Sequence, residues 1–205
     1  YRSLVSGYSG LVLVPGADTL STDSFQMSLN TMGTFMPGKA GAKIQAGFRI
    51  PLSGSLELTP GVSFSPGEEE ISFGLKTGIK GRLFSAGPYS LAVQALWGFE
   101  VVSAEDVVFS PDPVFLSLPN KISAGVLSFL LSPEIAFSPQ EGFYIRGGIG
   151  MLIESGPVWS GVSAGFRSTP FNQTFNLHSP IEGAAEFHWL LPRTQLVLSL
   201  ILSGS

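Results

Sequence analysis

The chain contains no cysteine and only two histidines, His178 and His188. A disulfide framework and a thiolate metal centre are thereby excluded, and a zinc site built from clustered histidines lacks ligands. Charge is scarce too: Asp, Glu, Lys and Arg make up 13% of the 205 residues, against about 25% in soluble domains. A surface so poor in charge cannot be hydrated in the ordinary way. Basic residues are not in excess, with 11 Lys and Arg against 15 Asp and Glu for a net charge of -4, which argues against a nucleic-acid partner. Long apolar runs are missing as well. The longest, 196–202, is interrupted by Ser199, so no segment approaches the roughly 18 residues of a membrane-crossing helix. What the chain does have is 25 Gly, 15 Pro and 44% hydrophobic residues, a composition that favours frequent turns and strands over helices.

The ordering principle is alternation. Ile71, Phe73, Leu75, Ile79 and Leu83 fall on one face, while Ser72, Gly74, Lys76, Gly78, Lys80 and Arg82 fall on the other. That period of two is the period of a strand. Tyr89, Leu91, Val93, Ala95, Trp97, Phe99 and Val101 repeat it opposite Ser90, Ala92, Gln94, Gly98 and Glu100, and 85–88 turns one segment into the next. The same reading predicts strands over 24–35, 43–52, 55–64, 124–137, 143–152, 158–167, 181–190 and 195–203. Turn chemistry stands between them at Pro37-Gly38, Ser53-Gly54, Pro66-Gly67, 139–142, Gly156-Pro157 and Pro192-Arg193. About ten strands result, with no second domain.

A soluble β-sandwich also alternates, but its polar face carries Lys and Glu freely, whereas here that face is mostly Gly, Ser and Ala. Small residues suit the inside of a closed barrel. The expectation is therefore an all-β, closed antiparallel transmembrane barrel of about ten strands over 24–205, preceded by a periplasmic lead-in over 1–23. Its lumen is expected to hold a charge network of Lys43, Arg49, Lys76, Lys80, Arg82, Arg146 and Arg167 with Glu57, Glu100, Glu134, Glu182 and Glu186. Enclosed charges persist only when paired, so the interior is expected to be polar and filled. Phe84, Tyr89, Trp97, Phe99, Phe137, Phe143, Trp159 and Trp189 lie towards segment ends, as interfacial girdles would. The pattern resembles small outer-membrane β-barrels of Gram-negative-type bacteria. Gly10, Leu11, Pro15, Ala17 and Leu20 are similar to a short Gly-Leu…Pro-x-Ala-x-x-Leu segment that precedes the first strand in such proteins. The final residues, Ile201-Leu202-Ser203-Gly204-Ser205, depart from the terminal aromatic usual there. The resemblance implies a bacterial outer-membrane location and membrane lipids as surroundings.

Catalytic chemistry is not expected, and neither are a cofactor or a metal. His188 and Glu186 share a strand face and suggest a Ser-His-Glu hydrolase of the kind found in barrel lipid A deacylases, but an interior hydrogen-bonded histidine explains them more simply. Glu68-Glu69-Glu70 reads as a solvated acidic turn. Ten strands with both chain ends in the periplasm place turns 51–54, 85–88 and 139–142 on that side. A long apolar loop, 103–120, then lies outside the cell, and a second, 168–180, on the periplasmic side. These loops make Val108, Phe109, Phe115, Leu116, Phe171 and Phe175 candidate partner-binding residues. Three functions follow in order: a structural anchor or partner-binding component of a membrane assembly, a narrow porin-like channel for ions or small solutes, and a barrel-embedded hydrolase.

Overall fold

The computed structural model describes residues 10–11, 14–23, 25–36, 39–66, 71–103, 106–174, 177–191 and 196–204. All regular elements are strands: β1 (Gly10–Leu11), β2 (Val14–Pro15), β3 (Gln26–Met36), β4 (Lys39–Ser53), β5 (Leu56–Leu58), β6 (Gly61–Pro66), β7 (Ile71–Ala86), β8 (Tyr89–Ser103), β9 (Val107–Pro111), β10 (Val114–Ser117), β11 (Asn120–Ala124), β12 (Leu127–Ser138), β13 (Gly142–Ser155), β14 (Val158–Ser168), β15 (Leu177–Leu190) and β16 (Leu196–Gly204). β1 and β2 pair with each other, and the rest form one sheet closed on itself.

Around the barrel there are eleven positions, not ten. β5 and β6 share one of them, between β4 and β7. The segment expected as a loop, 103–120, supplies the additional one: β11 and β10 both lie between β8 and β12, and β9 continues along β8. Proline explains both the break and the mistaken reading. It cannot donate to a ladder, and Pro111, Pro113 and Pro119 cut the alternating run 107–124 into pieces. The segment still bonds across the sheet, with the Ala92 amide donating to the Pro119 carbonyl at 2.9 Å and the Asp112 amide to the Gly98 carbonyl at 2.9 Å.

An odd number of strands makes the first and last run the same way. β16 therefore meets β3 in parallel, from Leu196 opposite Met27 to Gly204 opposite Phe35, while every other neighbouring pair is antiparallel. The extra strand also reverses the end at which each later connection lies. Turns 54–55, 87–88, 125–126 and 156–157 share one end, called lower here, and Asp106, 139–141 and 169–174 share the upper end. The expected grouping of 139–142 with 51–54 and 85–88 is thus corrected, and the start of the long connection after β14 lies at the end opposite those two turns. Gly87, Gly125 and Gly156 adopt positive φ at the lower turns, which a two-residue hairpin connection requires. Turn 37–38, residues 67–70 and the Pro192-Arg193 turn lie outside the described residues.

Alternation sorts the side chains by face. On β12, Ser128, Leu130, Ser132, Glu134, Ala136 and Ser138 are buried, and Phe129, Leu131, Ile135 and Phe137 are exposed. Among the described residues, the charged side chains of the barrel strands follow the inward row, with Arg82 and Glu154 at its exposed lower end, and exposed apolar side chains recur on the outer row from Leu29 to Leu202. The interior, expected to be polar, also carries two apolar patches. Met32, Leu130, Leu152, Ala184 and Ile201 form one, with Trp159 against it; Leu96, Phe115, Ala136 and Tyr144 form the other. Phe84 meets Tyr89 across a lower turn at 5.9 Å, and Phe137 meets Phe143 across an upper turn at 4.8 Å.

Candidate functional site: a filled lumen below an open vestibule

The deepest polar cluster is centred on Glu57. Its carboxylate, fully buried on β5, accepts from Arg49 Nη2 on β4 at 2.9 Å and pairs with Lys80 Nζ on β7 at 2.9 Å. The register places them together, because Glu57 lies opposite both Pro51 and Lys80. The chain's own amino-terminal segment joins this cluster. The Leu20 amide donates to Glu57 Oε2 at 2.9 Å, Arg49 Nη2 donates to the Asp18 carbonyl at 3.0 Å, and Asp18 pairs with Lys121 at 2.8 Å. Lys121 also holds Glu154 at 3.0 Å, and the Thr19 hydroxyl donates to the Gly54 carbonyl at the lower rim. Pro15, Gly16 and Ala17 are buried, and β1 and β2 lie against β12, β13 and β14. The described part of the lead-in is thus an occupant of the lumen, entering at the lower end.

The expected charge network resolves into separate groups. Arg49, Glu57 and Lys80 form the cluster just described. Lys43 faces Glu100 at 3.7 Å, and Ser72 donates to the same carboxylate. Arg146 pairs with Glu134 at 3.1 Å. Lys76 turns to Asp112 at 3.8 Å, and Arg167 to Glu141, two acids absent from the expected set. Arg82 immediately precedes a bulge and is exposed at the lower rim, where it donates to the Gly54 carbonyl; it is not a lumen charge. Asp18, Asp112, Lys121 and Glu141 lie in the lead-in, in turns or in the proline-broken strand, where no alternating frame assigns a face, and Glu154 lies on β13 just past the end of the expected strand 143–152.

Above the filled part, at the upper end, the barrel opens into a cavity of about 810 Å³. Arg146, Arg167, Tyr144, Phe115, Glu182 and the 138–141 turn line it. Arg146 lies over the Phe115 ring at 4.8 Å and Arg167 over Tyr144 at 4.0 Å, cation–π contacts that hold the guanidinium planes against the wall. Phe115, expected to dock a partner, therefore points inward. Leu116 belongs to the outer apolar row of β10, Val108 and Phe109 are exposed on β9, and Phe171 is exposed in the upper connection. Phe175 lies outside the described residues, as does the 68–70 acidic run.

A third constellation occupies the inward face of β15 and β16 near the lower end. His188 Nε2 lies 3.0 Å from Glu186 Oε2, and Nδ1 lies 2.7 Å from Ser199 Oγ. Trp159, expected in an outer girdle, is turned inward and stacks on the imidazole with centroids 5.3 Å apart and planes at 14°. Sequence spacing pairs His188 with Glu186 through their shared strand; only the β15–β16 register, His188 opposite Ser199, brings in the serine. Among the described residues no group of three His, Cys, Asp or Glu is placed to hold a metal. Compared with protein-family models, curated proteins and solved structures, the chain matches none.

Proposed function

We propose that this chain is a bacterial outer-membrane barrel that anchors an assembly and docks a protein partner at its upper rim, with a lumen that does not conduct. The observation that carries the membrane part is the parity of charge: inward rows hold the charges, and the outer rows are apolar all round. Water gives no reason for that inversion, whereas lipid does. Aromatic pairs at both ends fit the two interfaces. Docking is supported by β9. Among the described residues it pairs with β8 alone, leaving one strand edge open, and it exposes Val107, Val108 and Phe109. An open apolar edge takes an added strand from a partner.

The test separates Phe109 from Phe115. Phe109→Ser is expected to release the proteins that co-purify from gently solubilised membranes while the folded barrel keeps its heat-modifiable mobility. Phe115→Ser opens a hole in the interior and is expected to cost about 3 kcal/mol or more of stability, read by urea titration. Retention of every companion by the Phe109 variant defeats the docking reading.

A narrow channel is the second reading, favoured by the vestibule and by the polar ties of the lead-in. Asp18→Ala removes its ion pair with Lys121. Wild-type protein in planar bilayers is then expected to be silent and the variant to show discrete openings; equal silence in both counts against a displaceable plug.

A further inference from the structure

Ser199, His188 and Glu186 form a hydrogen-bonded line that anchoring does not use. A carboxylate only accepts, so Glu186 fixes the imidazole proton on Nε2. Nδ1 is then an acceptor, and the Ser199 hydroxyl, 2.7 Å away, donates to it. The order is nucleophile, base and orienting acid. The remaining geometry supports the same order. Ser163 donates to the other oxygen of Glu186 at 3.3 Å, and Trp159 fixes the plane of the ring. Asn30 stands directly opposite Ser199 across the parallel seam, on the same inward row; a carboxamide there is the kind of group that donates to a developing oxyanion. One inward step along the same two strands, Ile201 opposite Met32 begins the apolar patch that Leu130 and Leu152 continue.

We propose that Ser199 is an activated nucleophile for acyl transfer, taking a carboxylic ester whose short aliphatic acyl group lodges against Ile201 and Met32. Ser199 Oγ attacks the carbonyl carbon as its proton passes to His188 Nδ1. The bond to the alcohol oxygen breaks, and the alcohol leaves with that proton. Water next adds to the acyl carbon, giving a proton to Nδ1, and Ser199 departs with it as the carboxylic acid is released. The lead-in strands lie against β12, β13 and β14, beside the Leu130 and Leu152 part of the patch, so the segment that fills the lumen also covers this wall.

A histidine buried only for structure makes the same two bonds, but its serine then reacts like any other. The full chain in detergent, treated with an alkyl fluorophosphonate and read by intact mass and peptide mapping, distinguishes the two. Ser199 is expected to be the labelled residue. His188→Gln and Glu186→Gln are expected to slow labelling by about 10²-fold or more, and Asp18→Ala to speed it. With p-nitrophenyl butyrate, Glu186→Gln is expected to lower kcat with little change in KM, at unchanged heat-modifiable mobility. Absence of label on Ser199 in both the wild type and Asp18→Ala overturns the proposal, and so does equal labelling of the wild type and His188→Gln.

Discussion

Glu57→Ala is expected to destabilise the barrel by about 3–5 kcal/mol, because it removes the carboxylate that two buried cations share. The Lys80 side chain has no exposure at all, and that of Arg49 is 6%. Neither can reach water, and the nearest other acid, Asp18, is tied to Lys121. The substitution also deprives the Leu20 amide of its acceptor, so the lead-in loosens together with the wall. Lys80→Met gives the informative contrast. It leaves the Arg49–Glu57 pair intact, fills much of the same volume with an apolar chain, and should cost far less. Urea titration followed by tryptophan fluorescence measures both; equal losses for the two variants would show that unpaired charge is not the cause.

Leu75→Arg tests the outer face. Leu75 lies opposite Val62 and Phe99 on the outward row of β7, and it is 41% exposed. In contact with lipid near the bilayer midplane the substitution should cost about 2–4 kcal/mol, falling towards an interface. If the face met water, a guanidinium at so exposed a position would cost only tenths of a kcal/mol. Reversible unfolding from lipid vesicles therefore decides. A loss below about 0.5 kcal/mol removes the membrane reading, whatever the barrel's shape.

The strands were legible wherever the period of two ran unbroken. β7, β8, β12, β13 and β14 follow the expected segments closely, since face alternation is a local property of the extended backbone. Legibility failed at the prolines. Residues 107–124 alternate as well, with Val114, Leu116, Leu118 and Ile122 on one row, but without a ladder donor at each proline the run looked like a loop. Misreading that one strand changed the count, the closure and the end assigned to every later turn. The candidate site was legible only in part for a related reason. Inward parity picked out Arg49, Glu57, Lys80, Glu134 and Arg146, yet parity says which face a charge shares and not which charge it meets.

What the sequence determined by itself, therefore, is everything that depends on neighbours two residues apart: strand character, the separation of charged and apolar faces, and the turns. The tertiary structure decided what depends on register between distant segments. Glu57 meets Lys80, and Ser199 meets His188, because ladder hydrogen bonds fix one strand against the next at a definite offset, and a slip of one residue would turn every side chain to the opposite face. It also decided the parallel seam, which follows from an odd count and not from any residue in β3 or β16. The fate of the lead-in was settled in the same way. Its Asp18 finds Lys121 across 103 residues of chain, a contact that no local pattern encodes and that exists only because a closed sheet leaves buried charges inside needing partners.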